Sequence, residues 1–420
     1  EALAVAELAI AQPVGEQTLL HYYKSWCLIR LGKTAEAQIA IATAEKEPAD
    51  YCFPNALEAI EALQCVVDFA GKAPKALYYL GNLWYDKRRY PTAIAAWERS
   101  SREDETFPTV WRNLSLAYFN KMNRPDEAVA LLEKAFRLDH TDARVLMELD
   151  QLYKRLNRPH IERLCFLEQH IDIVMTRDDL YLEYVTLLNQ TGQYREAIRR
   201  IDQRKFHPWE GGEGKVPAQY QLARLELAKE LINRKKYDDA LALIDECYIY
   251  PTHLGEGKLP GAQENDFNYY KAYILQQQGR PEEAHSLFVK ACSGNSQPAA
   301  AMYYNDQKPD KIFYQGLAYR KLGEEEKARS RFNQLITYGE EHLFDRFKMD
   351  YFAVSLPDLL IWEDDMDKKN RIHCNYLMAL GHLGLGNRTK AEHFFDIAAS
   401  MDNNHQGVQI HRKLMNTILS

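Results

Sequence analysis

The chain reads as a succession of helical pairs, with small and large apolar residues at fixed offsets. Eight segments share one shape: LGKTAEA (31–37), YDKRRYPTA (85–93), NRPDEA (123–128), TGQYREA (191–197), NRKKYDDA (233–240), QGRPEEA (278–284), LGEEEKA (322–328) and LGNRTKA (385–391). Each is a turn that runs to an alanine inside a new helix. Upstream lies a helix with small and aromatic residues, as in YYLGNLWY and YQGLAYRKLG. Four residues past most of the alanines stands a bulky apolar residue: Trp97, Leu132, Ile201, Ile244, Phe288, Phe332 or Phe395. A small residue in each helix lets two helices approach closely, and the bulky one fills the gap against the next pair. Gly81, Ala272 and Gly316 take the close-contact place in the first helix, and Ala93, Ala240, Ala284, Ala328 and Ala391 take it in the second.

This pattern resembles the tetratricopeptide repeat (TPR), a helix–turn–helix unit of about 34 residues. The expected fold is therefore all-α: a TPR-like solenoid of helical hairpins, a right-handed superhelix of about 8–10 repeats. The alanine spacing gives the register. Ala93 to Ala128 is one bare repeat of 35 residues, and Ala128 to Ala197 is two, which places a degenerate unit near 145–175. Ala37 to Ala93 leaves room for an extra helix around NALEAIEALQCVVDF. Later steps are longer, and the last carries nearly thirty extra residues, including YFAVSLPDLLIWEDD. Two regions are expected: regular repeats over 1–205, and repeats with inserted loops over 206–420, with an extra element at 340–370, the whole forming one continuous solenoid. Insertions in repeat proteins map to loops on one face, often the binding face.

Two insertions carry the same four letters. HPWEGGEGK (207–215) and YPTHLGEGK (250–258) place Glu213 and Glu256 each 16 residues past Ala197 and Ala240. Stacked repeats touch only their neighbours, so loops at one station should lie side by side. Glycines flanking each glutamate permit unusual backbone angles and close ligand approach. Around them stand His207, Trp209, Glu210 and Lys215, then His253, Lys258, Gln263, Glu264, Asn265 and Asp266. A third insertion, AMYYNDQKPD (301–310), adds Tyr303, Tyr304, Asn305, Asp306 and Asp310. Aromatic faces among carboxylates, amides and a lysine suit a sugar: rings stack on a pyranose and polar groups take its hydroxyls. The plain alternative is that these loops are helix caps and connectors, with Glu and Lys pairing loop to loop to lock two repeats together.

Composition narrows the function classes. With 53 basic and 60 acidic residues the net charge is −7, and no basic block appears, which disfavours nucleic acid. No stretch is long and apolar enough to span a membrane. The seven cysteines, Cys27, Cys52, Cys65, Cys165, Cys247, Cys292 and Cys374, are scattered and odd in number. They read as small buried hydrophobes in a reducing, cytoplasmic compartment, with no metal site and no cofactor. Glu210 with Glu213, Glu264 with Asp266, and Asp364 with Asp365 are acid pairs of the kind glycoside chemistry uses, but such pairs are common in a chain with 60 acids, and EDD (363–365) reads as a solvated helix end. His405 and His411 stand six apart, on different helix faces, which does not suit metal ligation, so both read as capping or packing residues. His373 beside Cys374 reads as core. No phosphate-binding glycine loop, dinucleotide fingerprint or hydrolase motif is present.

The later segments FHPWEGGEGKV, LGEGKLPGAQEND, AMYYNDQKPDKIFYQGLAYRKLG, FDRFKMDYFAVSLPDLLIWE and NNHQGVQIH carry a narrower likeness. They resemble the carboxy-terminal TPR region of bacterial two-part proteins. The amino-terminal part of those proteins is a domain of unknown function similar to the galactose-mutarotase β-sandwich and suspected of acting on carbohydrate. The resemblance implies that such a β-domain precedes Glu1. Two functions follow as expectations. One is a non-catalytic scaffold that binds a protein partner, the missing β-domain, or a glycan held for that domain. The other is the TPR part of a carbohydrate-active enzyme, with Glu210, Glu213, Glu256, Glu264 or Asp266 supplying an acid, a base or a substrate contact.

Overall fold

The structure, a computed structural model, describes residues 1–12, 17–50, 52–300, 306–346 and 361–415. Among the described residues it contains twenty-two α-helices, one 3₁₀ turn and no strand. The helices fall into two compact units, Glu1–Leu152 and Tyr153–Ser420.

In the first unit α1 (Ala2–Ile10) packs on α2 (Thr18–Arg30), which pairs with α3 (Thr34–Ala44). The expected extra helix is α4 (Glu58–Ala70), wedged between α2 and the next hairpin, α5 (Pro74–Asp86) with α6 (Tyr90–Glu103). The hairpin of α7 (Pro108–Asn120) and α8 (Pro125–Leu138) follows, then α9 (Ala143–Arg155), whose last three residues belong to the second unit. Ala37, Ala93 and Ala128 are fully buried at the helix–helix contacts. Gly81 shows why the small residue matters: a Cβ there would lie 2.2 Å from the indole nitrogen of Trp97. That indole fills the gap and donates to the Tyr78 carbonyl at 3.1 Å. Glu45 reaches forward one hairpin to accept from the free backbone N–H groups of Lys75 (2.9 Å) and Ala76 (3.1 Å), capping α5.

The second unit continues with α10 (His160–Gln169), the short α11 (Ile171–Val174), and the hairpins of α12 (Asp178–Gln190) with α13 (Tyr194–Asp202) and α14 (Lys215–Asn233) with α15 (Tyr237–Cys247). Then come α16 (Asn265–Gln277) with α17 (Pro281–Ala291), α18 (Pro309–Lys321) with α19 (Glu325–His342), and α20 (Met366–Gly384) with α21 (Arg388–Met401). The last helix is α22 (Gln406–Leu414). The register alanines 197, 240, 284, 328 and 391 are buried, as are Ile201, Ile244, Phe288, Phe332 and Phe395. Phe332 sits in a slot between two glycines: a Cβ at Gly316 or Gly384 would come within 2.4 Å of its ring. The degenerate stretch near 145–175 is helical, covered by α9, α10 and α11. Most turns inside the hairpins pass through one left-handed residue, a glycine at 32, 192, 279, 323 and 386, but Arg88, Asn123 or Lys235 elsewhere. Within the expected element at 340–370, residues 347–360 lie outside the described residues, and Trp362, which follows them, is fully buried.

The cysteines differ from their uniform reading as buried hydrophobes. No disulfide joins any two of them, but only Cys52, Cys247 and Cys374 are buried, and Cys165 is exposed. No helix among the described residues is long and apolar enough to cross a membrane.

Candidate functional site

The loop after α13 is pinned before it reaches the first GEGK. Arg204 pairs with Asp178 at the start of α12, and Asp178 also accepts from the backbone N–H (2.9 Å) and ring Nδ1 (3.0 Å) of His207. Burial pushes the Asp178 carboxyl up, but the His207 and Arg204 hydrogen bonds outweigh it and hold the group below its ordinary range. Phe206 is buried and donates its N–H to the His253 carbonyl at 2.8 Å. That bond brings the second loop against the first. Gly255, at φ +77°, lies so close that a Cβ would stand 2.7 Å from the Phe206 carbonyl oxygen.

The two GEGK segments then meet through unlike atoms. Gly214, at φ +71°, forms the N-cap of α14, and its N–H donates to the Glu256 carboxylate at 2.7 Å. A glutamate of one loop therefore caps the helix that follows the other, where the exposed N–H groups favour a negative charge. Glu213 stays local and accepts from the Gly211 N–H at 3.3 Å. The Trp209 indole lies over Gly212, where a Cβ would be 2.3 Å from the ring. Between the loops opens a cleft of about 280 Å³, lined by His207, Trp209, Glu210, Glu213, Leu254 and Glu256, among others. No ion pair joins Glu210, Glu213 or Glu256 to a cation among the described residues, so three carboxylates stand beside an indole face, with Lys215 acting on Glu213 only from beyond ion-pair distance.

The remaining candidates are placed differently. Lys258 pairs with Glu264 and donates to the Tyr248 carbonyl at 3.0 Å, closing the second loop on itself. Gln263 bridges to the third insertion, donating to the Asp306 carbonyl (3.4 Å) and accepting from the Lys308 N–H (3.2 Å). Tyr303 and Asn305, with Tyr304, lie outside the described residues. His253 lines no part of the cleft and packs edge-on against Tyr220. Lys215 makes no ion pair among the described residues. Its side chain is exposed, yet desolvation by the protein round it, with Lys154 adding to it, lowers its pKa while Glu183 and Glu213 pull the other way. Asp266 is buried in an ion pair with Lys311 and is not on the rim, so the pair Glu264/Asp266 does not face one space.

One further sequence reading changes and one holds. Asp364 is not a solvated helix end: it pairs with Arg155 at 2.7 Å and with Lys369, while Asp365 caps α20 through the Lys368 N–H. The histidines of NNHQGVQIH are structural, as their spacing implies. His405 caps α22 by accepting from the Val408 N–H, and His411 is buried between Tyr376 and the Gly407 carbonyl. Asp178, Phe206 and Leu254 are among the site residues that sequence reasoning missed. Asp178 opens a helix one repeat earlier, so only the register could have pointed to it.

Residues 312–338, spanning most of α18 and α19, match the tetratricopeptide repeat family. Among solved structures the chain is similar to a tetratricopeptide repeat protein from Parabacteroides merdae, at 15% identity over 72% of this chain and 99% of that one, with a TM-score of 0.29. It is also similar to the C-terminal part of a TPR repeat-containing protein from Cytophaga hutchinsonii, at 16% identity over 73% and 93% of the two chains, TM-score 0.26. A third similar structure is Naa15/Naa10 bound to HypK-THB, at 12% identity over 99% of this chain and 63% of that one, TM-score 0.32. The matched hairpin is the one in which Gly316 lies under Phe332. The neighbouring hairpins repeat its geometry, so the molecule is an array of tetratricopeptide-type hairpins.

Proposed function

We propose that this chain is a non-catalytic scaffold that docks a protein partner, or another domain of its own polypeptide, through the rim cleft of the 207–216 and 254–256 loops. Arrays of helical hairpins commonly present such surfaces to proteins. The observation that carries the reading is the cleft itself: a half-exposed indole with three carboxylates that make no ion pair among the described residues. An aromatic anchor beside like charges suits a partner's basic side chain, which would gain both cation–π and ionic contact. The resemblance to bacterial two-part proteins supports a carbohydrate-related, cytoplasmic setting and a β-domain as the partner.

A second reading, in which the carboxylates serve a glycoside hydrolase, draws on Trp209, whose ring could stack on a sugar. It is weakened by Glu256, which is engaged in capping α14. One experiment separates the two. A photo-cross-linking residue replaces Trp209 in the full-length protein. A discrete adduct, or an intrachain cross-link, is expected, and it should vanish in the Glu210→Lys, Glu213→Lys background. Labelling no stronger than from the same cross-linker at exposed Arg329 would overturn the scaffold reading. The enzyme reading requires instead that Glu213→Gln abolish glycan turnover with association intact.

A further inference from the structure

In a stack of hairpins each unit touches only its neighbours. The second unit breaks that rule. Residues 401–413 reach helices nearly 190 to 250 positions upstream. The Asn403 backbone N–H and side chain donate to the Asn157 side chain (3.1 Å) and carbonyl (2.8 Å). Asn404 donates to the Lys154 carbonyl at 3.0 Å and accepts from buried Arg163 at 2.7 Å. Arg163 in turn pairs with Glu183, which also takes Lys154. Gln190 donates to the Asn404 carbonyl at 2.8 Å, and Gln406 exchanges side-chain amide bonds with Gln219.

The apolar side of α22 faces elsewhere. Val408, Leu414 and the ring of His411 are buried, the last against Phe313 and Tyr314 of α18. The segment thus has an apolar footing at one end of the unit and a polar grip on the other. The grip consists of amide and guanidinium hydrogen bonds, which water can replace when the contact opens. An apolar seam would have no such substitute.

We infer that residues 402–415 are a tethered strap that closes the second unit, from its last repeats to its first, and occupies a face that a hairpin array would otherwise leave open to a partner. The strap fills this face with a short amphipathic helix, a common way for grooves to be occupied. Releasing the polar grip frees α10, α12 and α14 from the end of the chain. This goes beyond the rim cleft and does not depend on it.

The test is hydrogen exchange on the full chain carrying Asn403→Ala and Asn404→Ala. Losing this set of hydrogen bonds should raise exchange about tenfold or more. The rise is expected in 401–415 and in α10 alike, with α16 and α17 unchanged. Synthetic peptide 401–415 added at millimolar concentration should restore protection to α10. A rise confined to α20–α22, or no rise, would overturn the strap. If exchange rises everywhere, the milder Gln406→Ala decides. A joint rise in α22 and α14 supports the strap, and a rise in α22 alone refutes it.

Discussion

The two GEGK segments share four letters and a place in the repeat, yet they do different work. In the first, Glu213 turns back to its own loop and Lys215 finds no ion-pair partner among the described residues. In the second, Glu256 crosses to cap the helix after the first loop, and Lys258 closes on Glu264. The first loop presents the indole; the second supplies the support. Identical letters acquire different roles because each repeat meets a different neighbour on each side. The lesson is that station in a repeat fixes where a residue stands, while its partner is fixed by what the adjacent insertion brings.

The sharpest way to break this contrast is at the glycines. Gly255 has a positive φ, and a Cβ would meet the Phe206 carbonyl. Both the backbone strain and the clash disfavour Gly255→Ala, by about 2–4 kcal/mol together. Gly257 has open space around it and no positive φ, so Gly257→Ala should stay within about 0.5 kcal/mol. Urea denaturation of the two variants measures the difference. Equal midpoints would mean that the second loop does not lean on the first.

The glutamates come next. Glu256→Ala leaves the Gly214 N–H without its charged acceptor at a helix start and should cost about 1–2 kcal/mol. Glu213→Ala removes one long, exposed hydrogen bond and should cost less than about 0.5 kcal/mol. Thermal melts of both variants check the order, and a larger loss at Glu213 would reverse the assignment of support and display.

The register was legible in the sequence because close helix packing demands small residues, and the buried alanines from Ala37 to Ala391 record it. The adjacency of the two loops followed from that register. What each side chain touches did not follow. Asp266 looks like a rim carboxylate in sequence, but it is the second residue of α16 and turns inward to Lys311. Nothing in EDD announces Arg155 as a partner of Asp364, since the two are brought together by tertiary folding alone. NNHQGVQIH offered only two histidines with the wrong spacing for a metal, whereas its amides grip residues some 240 positions away. Amide pairs of that range carry no periodic signature.

The smallest effect lies at the lysines, and it distinguishes the loops by sign. Lys258 is about one-third exposed and ion-paired, so Lys258→Met should cost about 0.5 kcal/mol, shrinking at high salt. Lys215 has no such partner among the described residues, and the protein packed round it disfavours its charge, an effect that solvent screens because the side chain is exposed. Lys215→Met should therefore be neutral or stabilising by up to about 0.5 kcal/mol at pH 7. The pH dependence follows from the same fact. The folded pKa of Lys215 lies below its ordinary 10.5, so between the two values the unfolded chain binds the extra proton. Wild-type stability gains a component that grows as pH rises through that window, and Lys215→Met lacks it. Denaturation midpoints at pH 7 and in the alkaline range would show whether wild type gains on Lys215→Met as pH rises. A loss on replacing Lys215 that is as large as that at Lys258, and equally salt-sensitive, would mean the first lysine is paired after all and the loops are functional equals.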